Sequence, residues 1–226
     1  MKEYKYILFD LDGTLTDPAV GITKSVAYAL KKFGIEVSDI TQLNHFIGPP
    51  LLDSFMECYG FDKEKAQTAI DYYRERFRVK GLYENVVYDG IPEMLRKLKD
   101  SGKKLILATS KPEPFAKEIL RHFGLEEYFV YAAGSNFDGT RTAKAEVIEY
   151  ALESADISDK SACIMIGDRE HDIIGANKTG LDSIGVLYGY GNKDELQSAG
   201  ATFIAENVTN FLFIGIENLS TNANFI

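Results

Sequence analysis

Three short apolar runs in this chain each stop at residues of catalytic type, and that recurrence narrows the possible folds more than any other feature. Ile7-Leu8-Phe9 stops at Asp10, the start of Asp10-Leu11-Asp12-Gly13-Thr14. Lys104-Leu-Ile-Leu-Ala-Thr109 leads into Ser110-Lys111. Ala162-Cys-Ile-Met-Ile166 leads into Gly167-Asp168, with Asp172 four residues on. Runs of this length that are apolar almost throughout belong to strands buried on both faces, the habit of a parallel sheet covered by helices. Helical periodicity fills the gaps at residues 91–99, 112–123, 144–152 and 173–178, and short strands are expected at 130–133 and 183–187. Repeated alternation of strand and helix predicts an α/β fold with a parallel sheet.

The stretch between Thr14 and Val86 reads differently. Ile22, Val26, Leu30 and Phe33 share one face of a helix that Gly34 ends. Leu51, Phe55, Met56 and Tyr59 define the inner face of a second, entered through Gly48-Pro49-Pro50 and closed by Gly60. A third is expected over 63–79, with Ala66, Ile70, Tyr73 and Phe77 inward. No strand is required there, so the segment is expected to be an all-helical insert.

Composition excludes several classes. The formal net charge of −9 over 226 residues disfavours a nucleic-acid partner, which needs Lys and Arg to neutralise phosphates, and disfavours an anionic membrane surface. Cys58 and Cys163 are too few for a disulfide framework, and His45, His122 and His171 show no zinc spacing. The N-terminal apolar run is too short for a secretory segment, and no stretch approaches the length of a membrane span. A cytoplasmic location is expected.

In open α/β sheets ligands bind beyond the carboxyl ends of the strands. That edge would gather Asp10, Asp12, Asp168 and Asp172 with Thr109, and with Lys144 at the start of a helix. Each motif alone is an ordinary turn or cap; their shared placement points to a site. Four uncompensated acids in one cleft repel, and at least one would protonate. A divalent cation removes the conflict, and hard carboxylate oxygens suit Mg²⁺. The metal, Thr109 and Lys144 would together neutralise a phosphoryl group enough for a carboxylate to approach it.

These residues resemble the four motifs of the haloacid dehalogenase superfamily. Asp10-Leu-Asp-Gly-Thr14 is similar to its first motif, Thr109 to its second, Lys144 to its third, and Gly167-Asp168-Arg-Glu-His-Asp172 to its fourth. The resemblance runs from about Lys5 to about Glu206. It implies a Rossmann-like core with a helical cap inserted after the first strand: core 1–17 and 87–215, cap 18–86, and a C-terminal tail 216–226. Gly48-Pro49-Pro50-Leu51 looks most like the phosphoglycolate phosphatase-like branch. Gly134-Ser135-Asn136 with Asp138-Gly139-Thr140-Arg141 resembles a 5′-nucleotidase-like subgroup within it.

The resemblance also implies roles. Asp10 is the nucleophile and Asp12 the acid and then the base. Mg²⁺ is held by the Asp10 carboxylate, the Asp12 backbone carbonyl and Asp168, with Asp172 completing or orienting the shell. Thr109 and Lys144 bind the phosphoryl oxygens, assisted by backbone N–H groups near Leu11 and Ser110. The acid at position 12 disfavours the dehalogenase and phosphonatase chemistries of the superfamily. A β-phosphoglucomutase-like phosphosugar mutase is the alternative, disfavoured because Asp17-Pro-Ala-Val-Gly-Ile-Thr-Lys24 lacks an early cap histidine.

The expected activity is Mg²⁺-dependent hydrolysis of a small phosphorylated metabolite, phosphoglycolate or a nucleoside 5′-monophosphate, by a monomer or homodimer. Candidate substrate contacts are Gly48, Pro49, Lys24 and Lys111, some member of the basic run Arg74, Arg76, Arg78 and Lys80, and the rings of Tyr72, Tyr73 and Tyr83. A signalling receiver domain is too short to contain the helical insert, and a dinucleotide oxidoreductase would need a Gly-x-Gly-x-x-Gly after the first strand.

Overall fold

The computed structural model describes residues 3–213, so the expected tail at 216–226 lies outside the described residues. The chain divides into two units, one running to Leu15 and resuming at Val87, the other spanning Thr16–Val86.

The first unit is built on a six-stranded sheet. Its strands are β1 (Tyr6–Phe9), β4 (Lys104–Pro112), β5 (Phe129–Ser135), β6 (Cys163–Gly167), β7 (Asp182–Val186) and β8 (Phe203–Ala205). Their order is β5-β4-β1-β6-β7-β8 and every pairing is parallel. From β1 the chain proceeds to β4 on one side and later to β6 on the other. The carboxyl end of β1 is therefore the point where strand order reverses, the usual place for a ligand in such sheets.

Among the described residues this unit carries the α-helices α4 (Ile91–Asp100), α5 (Glu113–His122), α6 (Lys144–Ser154), α7 (Glu170–Thr179) and α8 (Lys193–Ser198). Strand side chains alternate in direction. Leu8, Ile106, Ala108, Cys163 and Met165 form one buried cluster with Val147, Ile148, Ala151 and Leu152 of α6 and Ala176 of α7. The alternate residues Ile7, Phe9, Leu105, Leu107, Ile164 and Ile166 are buried as well. Burial on both faces accounts for the unbroken apolar runs.

The second unit holds α1 (Ala19–Lys32), a 3-10 helix (Ile40–Phe46), α2 (Leu51–Tyr59) and α3 (Lys63–Arg76), which continues into a π-helical turn (Phe77–Gly81). Phe46, Phe55 and Phe61 are buried and in ring contact, with Phe46 to Phe55 at 5.0 Å between centroids. Asp62 caps α3 by accepting from the Lys65 backbone N–H at 2.8 Å. The expectation of no strand between Thr14 and Val86 is corrected by β2 (Thr16–Asp17), which pairs with β3 (Val86–Val87) where the chain enters and leaves the insert. Two-residue strands carry no readable period. Met56, expected on the inner face of α2, is 37% exposed; Ser54 and Phe55 are the buried residues of that helix.

Candidate active site

The site grows from the end of β1. The Asp10 N–H donates to the Ile166 carbonyl at 2.9 Å, extending the β1–β6 pairing one residue past the strand. The chain then turns, with Leu15 N–H donating to the Leu11 carbonyl at 2.9 Å. Gly13 makes the turn possible at φ +80°, where a Cβ would also lie 2.1 Å from Asp168 Oδ2. Glycine is required there twice over, for the left-handed backbone and for the closeness of the two motifs. Thr14 Oγ1 donates to Asp168 Oδ1 at 3.4 Å.

Asp168 follows β6 and is 1% exposed. Its Oδ2 accepts from the Tyr190 N–H at 2.8 Å. Gly189 and Gly191 allow this approach, since a Cβ on Gly189 would lie 2.4 Å from both Asp168 Cβ and the Gly13 carbonyl oxygen. Tyr188 Oη donates to the Thr14 carbonyl at 2.9 Å. The segment Tyr188-Gly-Tyr-Gly191 thus holds the first and fourth motifs together. Sequence reading missed it, and its signal was the alternation of glycine and tyrosine just past an apolar strand.

Lys144 opens α6 and is 7% exposed. Its Nζ lies 2.8 Å from Asp10 Oδ1 and 2.7 Å from Asp172 Oδ1, and donates to the Ala108 carbonyl at 3.1 Å. Its stem runs against Gly175 of α7, where a Cβ would sit 2.7 Å from Lys144 Cγ. Asp172 Oδ2 caps α7 by accepting from the Arg169 N–H at 3.1 Å. Asp12 turns elsewhere, with its Oδ2 2.7 Å from Lys111 Nζ. Lys111, expected as a substrate contact, thus also pairs with Asp12.

Carboxylate oxygens of Asp10, Asp168 and Asp172 lie within 4.8 Å of one another, and all three residues are buried. Adding Asp12 gives four acids against the two ammonium groups of Lys111 and Lys144, an excess of negative charge in a dry place. Burial pushes the Asp168 carboxyl well above the usual carboxylate range, reinforced by Asp172 and Asp10 and opposed by the Tyr190 N–H. Burial likewise raises Asp172 against the pull of Lys144, and raises Asp12 against the pull of Lys111. Burial alone would lower Lys144, but its ion pairs with Asp10 and Asp172 prevail and raise it. Three hard, buried oxygen donors short of positive charge fit a divalent cation of the Mg²⁺ type. The Asp12 carboxylate stands outside that donor group, and its backbone carbonyl is the atom the resemblance assigns to the metal.

Thr109 is buried beside the cluster's strand edge, its Oγ1 accepting from the Lys111 N–H at 3.2 Å. Ser110 lies in the same irregular stretch of β4, where the register with β5 shifts between Ala108 and Pro112. Gly48 and Pro49 lie in the helical unit between the 3-10 helix and α2, half-buried. In that unit Arg76 is committed elsewhere, with Nη1 2.8 Å and Nη2 3.0 Å from the two Glu84 oxygens and Nη1 3.1 Å from Ser25 Oγ. Lys24 joins Glu84 at 3.4 Å. Tyr73 is buried and stacks on Phe77, so it is core rather than a free ring. Tyr72 meets Phe33 edge-on at 5.8 Å, and Tyr83 is 45% exposed.

Residues 7–186 match the family model of the haloacid dehalogenase-like hydrolases. A protein of Pseudomonas aeruginosa named 5′-nucleotidase is 55% identical over 195 residues, covering 86% of this chain and 88% of the relative. The tyrosine-protein kinase PtkA of Mycobacterium tuberculosis is 38% identical over 203 residues, covering 90% of this chain and 69% of the relative. The crystal structure of a predicted phosphatase from Clostridium acetobutylicum superposes with a TM-score of 0.90 at 56% identity, covering 92% of this chain and 96% of that one. Among the described residues no helix is long and apolar enough to cross a membrane.

Proposed function

The chain belongs to the haloacid dehalogenase-like hydrolases and is a phosphomonoester-hydrolysing enzyme, and from that premise we propose that it works through a phosphorylated Asp10 with nucleoside 5′-monophosphates as its substrates. The observation that carries the chemistry is the contact of Lys144 with Asp10 inside the buried group Asp10, Asp168 and Asp172. A carboxylate held there meets a phosphorus whose negative oxygens are offset by fixed charge.

In the first step an Asp10 oxygen attacks phosphorus, the ester P–O bond breaks, and protonated Asp12 gives its proton to the departing oxygen. In the second step Asp12, now a carboxylate, takes a proton from water. That water oxygen attacks the same phosphorus, the bond to Asp10 breaks, and inorganic phosphate leaves. One group serves as acid and then base because the two steps have opposite proton demands. Its burial raises its hold on a proton, which favours the acid form the first step needs. Lys111 at 2.7 Å favours the carboxylate that remains. A divalent cation held by Asp10, Asp168 and Asp172 supplies charge neutralisation to the phosphoryl oxygens. Thr109 and Lys144 hold those oxygens from the protein side.

The substrate class is supported by the name of the 55% identical relative and by the Asp138-Gly-Thr-Arg141 motif. Phosphate release measured over nucleoside 5′-monophosphates, phosphoglycolate and phosphosugars tests it. The highest kcat/KM is expected on a nucleoside 5′-monophosphate. A tenfold preference for phosphoglycolate, or interconversion of phosphosugars without phosphate release, would overturn the assignment.

A further inference from the structure

The turn between β5 and α6 contains Asp138-Gly139-Thr140-Arg141, to which the reaction scheme assigns no role. The turn is closed by its own bonds. Asn136 N–H donates to the Thr140 carbonyl at 3.1 Å and Asn136 Nδ2 to Thr140 Oγ1 at 2.9 Å. Asp138 Oδ1 accepts from Thr140 N–H at 2.9 Å and from its hydroxyl at 2.6 Å.

Arg141 leaves this turn at φ +52°, a left-handed conformation that non-glycine residues take only when the surroundings impose it. Its guanidinium reaches three elements. Nε donates to the Gly134 carbonyl at the end of β5 at 2.8 Å, and Nη2 to Asn136 Oδ1 at 3.0 Å. Nη2 also lies 3.4 Å from Glu113 Oε2, at the start of α5. The group lies over the Tyr150 ring of α6, 3.6 Å from its centroid. None of these partners is a site carboxylate.

The two ends of this tie lead into the site. Lys144 follows Arg141 by three residues and opens α6. Glu113 follows Lys111 by two residues, and Gly134 is so close to that segment that a Cβ would lie 2.6 Å from both the Lys111 carbonyl oxygen and Glu113 Cα. We infer that Arg141 is a positioning residue for the reaction: through Gly134, Glu113 and Tyr150 it fixes the start of α6, and so sets where the Lys144 ammonium meets Asp10. Only a planar fork with several donors and a stackable face can satisfy these partners together, so lysine is not an equivalent. The inference rests on the role given to Lys144 above.

The test is a double-mutant cycle on the full chain with p-nitrophenyl phosphate and saturating Mg²⁺, with circular dichroism and thermal melts beside it. Arg141→Gly suits the left-handed backbone and deletes only the side chain. It is expected to lower kcat about 10- to 100-fold with little change in KM, the scale of a displaced catalytic group. Arg141→Lys should recover only part of that loss. In a Lys144→Met background, Arg141→Gly should cost less than about threefold more, because both changes remove the same interaction. Losses that multiply, wild-type turnover by Arg141→Lys, or an Arg141→Gly enzyme within about twofold of wild type would overturn the inference. Near-normal turnover by Lys144→Met alone would instead overturn the proposed function.

Discussion

Asp168 and Asp172 gain their meaning from charge accounting. With Asp10 and Asp12 they face two lysines, and each is 1% exposed. Burial with mutual repulsion raises both. Without metal, then, the folded state holds more protons than the unfolded chain above about pH 4, and this part of the stability falls as pH rises through that window. Protons and a divalent cation compete for the same oxygens. The rise in melting temperature produced by Mg²⁺ after EDTA treatment should therefore be larger at about pH 7.5 than at about pH 5. Scanning calorimetry at both pH values checks this, and equal shifts would remove the carboxylates as ligands. Asp10→Asn is expected to lower turnover by at least about 10³-fold, the scale of losing a nucleophile, while keeping the melt cooperative. Asp10, Asp12, Lys144, Asp168 and Asp172 were legible in the sequence because each sits at a strand end or helix start whose position the apolar runs fix. The pairing of Lys111 with Asp12 was not, because it depends on the register shift of β4 against β5 between Ala108 and Pro112, and that is set by packing.

Between residues and the whole lie the segments that hold the site. The Tyr188–Gly191 segment leaves no room for a Cβ beside Asp168. Gly189→Ala should push Asp168 aside and weaken Mg²⁺ binding about 10- to 100-fold, as loss of a supporting contact does. Titration calorimetry reads this apart from turnover, and unchanged affinity would contradict it. In the helical unit the Arg76 fork is the first cause that holds Glu84 below the usual carboxylate range, against a smaller burial effect. A depressed acid stabilises fully above its ordinary value near about 4.3 and loses that contribution as pH falls through its folded value. Glu84→Gln should accordingly melt below wild type at neutral pH, and the gap should close toward about pH 3; a gap that widens in acid would refute the pairing. The 14-residue helices α1 and α3 were readable from periodicity, whereas in the nine-residue α2 only Phe55 of the expected inner face is buried. The short elements α8 and β8 were not readable, since six and three residues are too few to display a repeat.

For the molecule as a whole, the order β5-β4-β1-β6-β7-β8 decides where chemistry can occur. Placing β1 between β4 and β6 brings three motifs, separated by up to 158 positions from Asp10 to Asp168, to one edge. Continuous apolar strands made the parallel sheet legible, and the strand order was not, because periodicity does not say which strands are neighbours. A cation bound only by the folded chain stabilises the entire unit by about 2.7 kcal/mol at a hundredfold excess over Kd, or roughly 5–10 °C for a chain of this size. The central step of the proposed reaction is transfer of the phosphoryl group to Asp10. Rapid acid quenching of the Asp12→Asn enzyme with Mg²⁺ and p-nitrophenyl phosphate, whose phenolate departs without needing a proton, followed by peptide mass spectrometry, reads that directly. A phosphoryl group on the peptide containing Asp10, absent from the Asp10→Asn control, is the predicted result. Phosphate release by the wild-type enzyme with no phosphorylated Asp10 in the quenched variant, or with the phosphoryl group on another residue, would contradict it.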